Sequence, residues 1–86
     1  MSFRLIGAEA ACGTSVGAAS TFGGATNVRL FNSGSTNRLV TVANSADGTI
    51  GTCTLADGEV TIIKKDKTDQ IFAAHAEILG APVIWS

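Results

Sequence analysis

The chain has 86 residues, of which 45% are hydrophobic and only 15% charged, and its net charge is −1. That length makes one domain with a thin stability margin, because a chain of this size buries only about 60–65% of its unfolded surface. So few charges, against roughly 25% in an ordinary soluble domain, favour burial against other subunits, and six scattered basic residues exclude the basic stripe that nucleic-acid binding requires.

The first ten residues, MSFRLIGAEA, lack the charged leader and apolar core of a secretory signal. No apolar run approaches the roughly eighteen residues of a membrane span. A cytoplasmic origin without membrane contact is the expectation. Phe3 to Ile6 reads as a short strand. Residues 10–24, AACGTSVGAASTFGG, are mostly Ala, Gly, Ser and Thr and carry no charge, so helical periodicity is absent and the glycines weaken any regular strand. Val16 and Phe22 are the larger apolar anchors there. Residues 1–24 are expected to form that strand followed by an extended Gly/Ala-rich arm, with a loose surface loop as the alternative. GTSVG at 13–17 matches the nucleophile-elbow pattern, but that pattern has mechanical meaning only on the strand–turn–helix corner of a large α/β sheet, for which this chain is too short.

From Ala25 to Ser86 an antiparallel β domain is expected. The runs ATNVRLF, RLVTVAN, TIGTCTL, EVTIIKK and QIFAAHA, and the closing EILGAPVIWS, are rich in strand formers and separated by Asn, Asp, Ser and Gly clusters. Asp47-Gly48 and Asp57-Gly58 offer residues that tolerate positive φ in tight turns. The second pair predicts a hairpin over Gly48 to Lys65. Pro82, the only proline, is expected to open the last strand, where a missing N–H does least harm. The spacing indicates an all-β fold, either a small antiparallel sandwich or a partly open barrel.

Alternation assigns Val28, Leu30, Val40, Val42, Cys53, Leu55, Val60, Ile62, Ile71, Ala73, Val83 and Trp85 to the core face. The opposite face should be polar, yet it carries Phe31, Leu39, Ile50, Ile63, Phe72 and Ile84. Together with Val16 and Phe22 in the arm, these are the candidate interface residues, expected to meet a neighbouring subunit.

Side chains for chemistry are scarce. His75 is the only histidine, so any neutral-pH acid–base mechanism would run through it, and it lies among alanines with only Glu77 nearby. Cys12 and Cys53 are too few for a disulfide scaffold and are expected as buried free thiols, with a single bridge as the alternative. No C-x-x-C or H-x-x-x-H spacing suggests a metal. No cofactor and no catalytic residue is expected. Lys64, Lys65, Asp66, Lys67 and Asp69 read as a solvated tip that blunts an edge strand.

The order of segments VRLFNSGSTNRLVTV, GTIGTCTLADGEVTIIKK and DQIFAAHAEILGAPVIW resembles small virion structural proteins of marine tailed bacteriophages, including those of cyanophages. The matching residues are Val28, Arg29 and Asn32; Thr54, Leu55, Gly58, Glu59 and Lys65; and Ala76, Ile78, Leu79, Pro82 and Val83, within roughly residues 26–85. The resemblance implies a non-enzymatic virion protein assembled in the host cytoplasm. A capsid decoration (cement) protein is the leading expectation, contacting the major capsid protein or other virion subunits and its own copies as a homo-oligomer. A neck or tail protein is the alternative, and a small ligand-binding β module a third reading. The family supplies no catalytic residues.

Overall fold

The computed structural model describes residues 3–85, Trp85 by its backbone, so the expected inward placement of the Trp85 side chain lies outside that description. The strands are β1 (Phe3–Leu5), β2 (Ala10–Ala11), β3 (Asn27–Asn32), β4 (Arg38–Ala43), β5 (Thr49–Leu55), β6 (Val60–Lys64), β7 (Gln70–Ala73) and β8 (Ile78–Trp85), with a 3-10 turn at Val16–Ala18. They form two antiparallel sheets. One runs β1-β8-β3-β6 with β2 also on β8, and the other runs β5-β4-β7. Val28, Leu30 and Ile78 from the first sheet share one buried cluster with Val40, Leu55 and Ile71 from the second, all at most 1% exposed. Each such side chain contributes roughly 1.5–3 kcal/mol by leaving water.

Among the described residues, only β4 and β5 are both consecutive and paired. Their turn uses the expected chemistry: the Asn44 side chain accepts from the N–H groups of Ala46 and Gly48, and Asp47 takes φ +66°. The predicted hairpin over Gly48–Lys65 does not form. A tight turn is present, with Glu59 N–H donating to Ala56 O at 3.0 Å and Gly58 at φ +73°. However, β5 pairs with β4 in one sheet and β6 pairs with β3 in the other. The end of β3 captures the turn, since Gly58 N–H donates to Asn32 O and Asn32 N–H donates to Glu59 O. The segment is therefore an arch between sheets.

The arm is part of the body. β1 and β2 lie end to end along β8, from Phe3 opposite Trp85 to Ala11 opposite Leu79. The chain then crosses to the second sheet, where Gly13 and Ser20 bridge to Phe72 and Ile71 on β7. With those two isolated bridges, one parallel and one antiparallel, standing beside β7 where a fourth strand would lie, the strand order follows that of a jelly roll, two sheets built from Greek keys. Two side chains anchor the arm: Cys12 and Phe22 belong to the buried cluster. Phe22 was expected to meet a neighbour, but its ring packs over Gly80 so closely that a Cβ there would lie 2.5 Å from the ring.

Pro82 lies inside β8, opposite Val28, and the strand opens four residues earlier at Ile78. Ile6 N–H donates to Pro82 O at 3.1 Å, so the face of Pro82 that would carry an N–H points at the arm. In an antiparallel pair the return bond would come from that missing donor. Pairing to β8 is lost there and resumes at Ala10 in a shifted register.

Lys65 and Asp69, expected in a solvated tip, are both buried. Lys65 N–H closes onto Thr26 O and its Nζ donates to Asp66 O at 3.2 Å, while Asp69 accepts from Asp66 N–H. Burial lowers the Lys65 pKa, against the opposing pull of Asp69 and Asp66.

Candidate interaction surface

Residues directly opposite one another in a sheet share a face, so the register defines the outer surface of the β1-β8-β3-β6 sheet. One row places Val60, Phe31 and Leu79 across three strands, and the next places Ile62, Arg29 and Ala81. A third brings Lys64, Asn27, Val83 and Leu5 together, so Val83, expected on the core face, has the outer phase, where it is nonetheless buried. Leu5, Val60 and Ile62 are 66%, 47% and 38% exposed, and Phe31 and Leu79 are half-buried. Arg29 holds the middle of this face. Its Nη1 pairs with Glu9 Oε2 at 3.1 Å, and its guanidinium lies 5.9 Å from the centre of the Phe31 ring. Glu9 reaches it from the break between β1 and β2, so the ion pair follows from the Pro82 interruption.

Val60 and Ile62 were expected in the core, and Ile63 outside. The phase of β6 is the reverse: Ile63 lies opposite Val28 and packs against the core cluster. The run Val60-Thr61-Ile62-Ile63 has apolar residues in both phases, so alternation alone admits two answers. The signal that separates them is the pairing of β6 with β3 rather than with β5.

Along the β5 and β6 edges the two sheets part. There β5 and β6 are the edge strands, while on the other side β1 and β2 form the edge of the first sheet and the arm bridges to β7. Between β5 and β6 opens a cleft of about 280 Å³ lined by Val40, Val42, Ile50, Cys53, Ile63 and Lys64. Cys53 has the inward phase expected of it, directly opposite Val40, but the open mouth leaves it exposed. Both cysteines are free and Cys12 is buried. Ile50 sits at a bulge, where the register slips between Val42 and Ala43, and this turns it into the cleft wall.

The remaining candidate residues scatter. Val16 is half-buried in the arm; Leu39 and Phe72 flank the outer face of the second sheet, Leu39 exposed and Phe72 half-buried. Ile84 is exposed beyond the end of β3. The structure therefore brings together Phe31 with Val60, Ile62 and Leu79, three residues that were not among the candidate interface residues.

His75 Nδ1 accepts from Glu77 N–H at 3.1 Å and stands 3.8 Å from Glu77 Oε2. Glu77 is already engaged with Arg38 Nε at 2.6 Å, tying the start of β4 to the β7–β8 loop. Ser15 of GTSVG precedes a 3-10 turn and its side chain makes no cap bond, so the strand–helix corner that would give the pattern meaning is absent from this site. Among the described residues no group of three acidic, His or Cys side chains could hold a metal ion, and no helix is long and apolar enough to cross a membrane. No protein-family model, curated protein or solved structure matches the chain.

Proposed function

We propose that the chain is a non-enzymatic structural subunit of a bacteriophage particle, a capsid decoration protein that grips the capsid through the outer face of its β1-β8-β3-β6 sheet. The observation that carries this reading is the apolar character of that face. Phe31, Val60, Ile62 and Leu79 adjoin one another on it beside the Arg29–Glu9 pair, where an antiparallel sheet facing water would alternate to polar residues. Isolated exposed apolar residues are ordinary, but a contiguous group marks a contact surface. The low charge content points the same way, as does the resemblance of residues 26–85 to small virion proteins of marine tailed phages. Jelly-roll connectivity occurs among viral capsid domains, an analogy of fold that lends weight without assigning function.

The partner is then a capsid subunit with an apolar surface, and many identical modest contacts on a particle add through multivalency. The test is antibody labelling of purified virus particles followed by electron microscopy. Label spread over the heads supports the proposal. Label at a single vertex moves the protein to the neck or tail, and absence of label from intact particles removes the virion reading.

A further inference from the structure

We infer that two copies of this chain pair edge to edge through β5, antiparallel about a twofold axis at Cys53, joining their β5-β4-β7 sheets into one continuous six-stranded sheet. The starting point is that β5 is an unguarded edge. It is the outer strand of its sheet, and from Thr49 to Thr54 every residue is exposed. Proteins ordinarily protect such edges with lysine, proline or a covering segment. The other edges show those devices: the arm bridges to β7, β6 carries Lys64, and the edge formed by β1 and β2 is two very short strands with Arg4 on the first. β5 reads Thr-Ile-Gly-Thr-Cys-Thr-Leu, with neither charge nor proline.

The bulge sets the register. It disturbs the Thr49–Ile50 end, while Gly51 to Leu55 remain in unbroken register with β4. The centre of that regular stretch is Cys53. Antiparallel self-pairing about it places Cys53 against the partner's Cys53, Thr52 against the partner's Thr54, and Gly51 against the partner's Leu55. No like charges meet, and the smallest residue faces the largest. A second copy is thus an occupant whose chemistry fits this edge along its regular length. The pairing also places the partner strand at the β5 side of the cleft mouth, where Cys53 is exposed. The inference deepens the proposed role by naming how copies meet, and it is tested on the purified chain alone. Its failure would leave the capsid-face proposal standing.

The experiment measures association by sedimentation and traps the pair with diamide, which takes two electrons and two protons from opposed thiols as the S–S bond forms. The expected result is a reversible dimer that diamide converts to a species linked through Cys53, with Cys12 still reduced. Two double variants read the register. Thr52→Lys with Thr54→Lys opposes lysines across the axis and should weaken the dimer, whereas Thr52→Lys with Thr54→Glu opposes lysine to glutamate and should restore it, a difference of at least ~tenfold in Kd. Both positions are exposed, so the fold should persist in either variant. A monomer at all concentrations without a Cys53-linked product, or equal association of the two double variants, overturns the inference.

Discussion

Asn32 and Leu55 lie on opposite sheets, yet the Asn32 side chain donates to the Leu55 carbonyl at 3.1 Å. Asn32 is fully buried and uses its whole amide. The same Nδ2 donates to Thr36 O at 2.8 Å, and Oδ1 accepts from Gly34 N–H at 3.0 Å. With its backbone bonds to Gly58 and Glu59, it holds the β3–β4 loop, the end of β5 and the arch in one place. Asn32→Leu leaves those loop groups without partners and should cost about 2–4 kcal/mol. Urea unfolding measures this, and a loss below about 0.5 kcal/mol would show that the node is dispensable.

Adjacent residues in β6 should give opposite outcomes. Ile62→Lys places a charge on the exposed outer face and should leave the unfolding midpoint nearly unchanged while abolishing attachment to virus particles. Ile63→Lys places the charge opposite Val28, beside the core, and should cost several kcal/mol. Thermal melts and particle co-sedimentation of the two variants give the comparison. If Ile62→Lys attaches as well as the unmodified chain, the outer face is not the contact.

Gly80 is kept small by Phe22. Gly80→Ala drives a methyl into the ring and should cost about 1–3 kcal/mol. The damage should concentrate in the arm, because Phe22 is one of its anchors. Faster amide exchange in residues 12–24, with β3 and β4 unchanged, is the expected signature. In a Phe22→Leu background the same substitution should cost less, so non-additivity of the pair tests the contact directly.

The two thiols should behave differently. Cys53, open to solvent, should take up one equivalent of a thiol reagent in the folded protein, more slowly than a free thiol because burial and then Glu59 raise its pKa. Cys12 should react only on unfolding. Burial pushes its thiol up to about 11 from 9.0, so above about pH 9 the unfolded chain releases this proton first. Stability from this group is complete below that pH and declines as pH rises towards 11, by on the order of 2–3 kcal/mol. Cys12→Ala should show a shallower decline of urea midpoint with pH, and an identical decline would exclude Cys12 as its source.

Strand positions were legible because β-branched runs and Asn, Asp and Gly turn residues punctuate the chain. The turn at Asp47 took the positive φ its sequence suggests. The faces were less legible wherever the partner mattered. Ala56-Asp57-Gly58-Glu59 makes the tight turn of a hairpin and of an arch equally well; what decides is Asn32, 24 positions before Ala56, bonded into the turn. Once the hairpin became an arch, Val60 and Ile62 moved outward and Ile63 inward. The interruption of the arm at Pro82 was hidden for a similar reason, since a missing N–H matters only when the strand across from it is known. Phe22 was misplaced because a lone aromatic among Gly and Ala gives no periodicity, and only the space above Gly80 shows where it belongs.

The pairing of β1 and β2 with β8 has a consequence for biosynthesis. On the ribosome, residues 3–11 emerge well before their partner strand, Ile78 to Trp85, so they stay unpaired until β8 of the same domain follows. Contacts of such long sequence separation fold slowly, and until they form, the β8 side of β3 is an open edge able to recruit the wrong strand. A nascent chain halted before Ile78 should therefore remain sticky and protease-sensitive, which delays the appearance of a docking-competent subunit until β8 has cleared the exit tunnel.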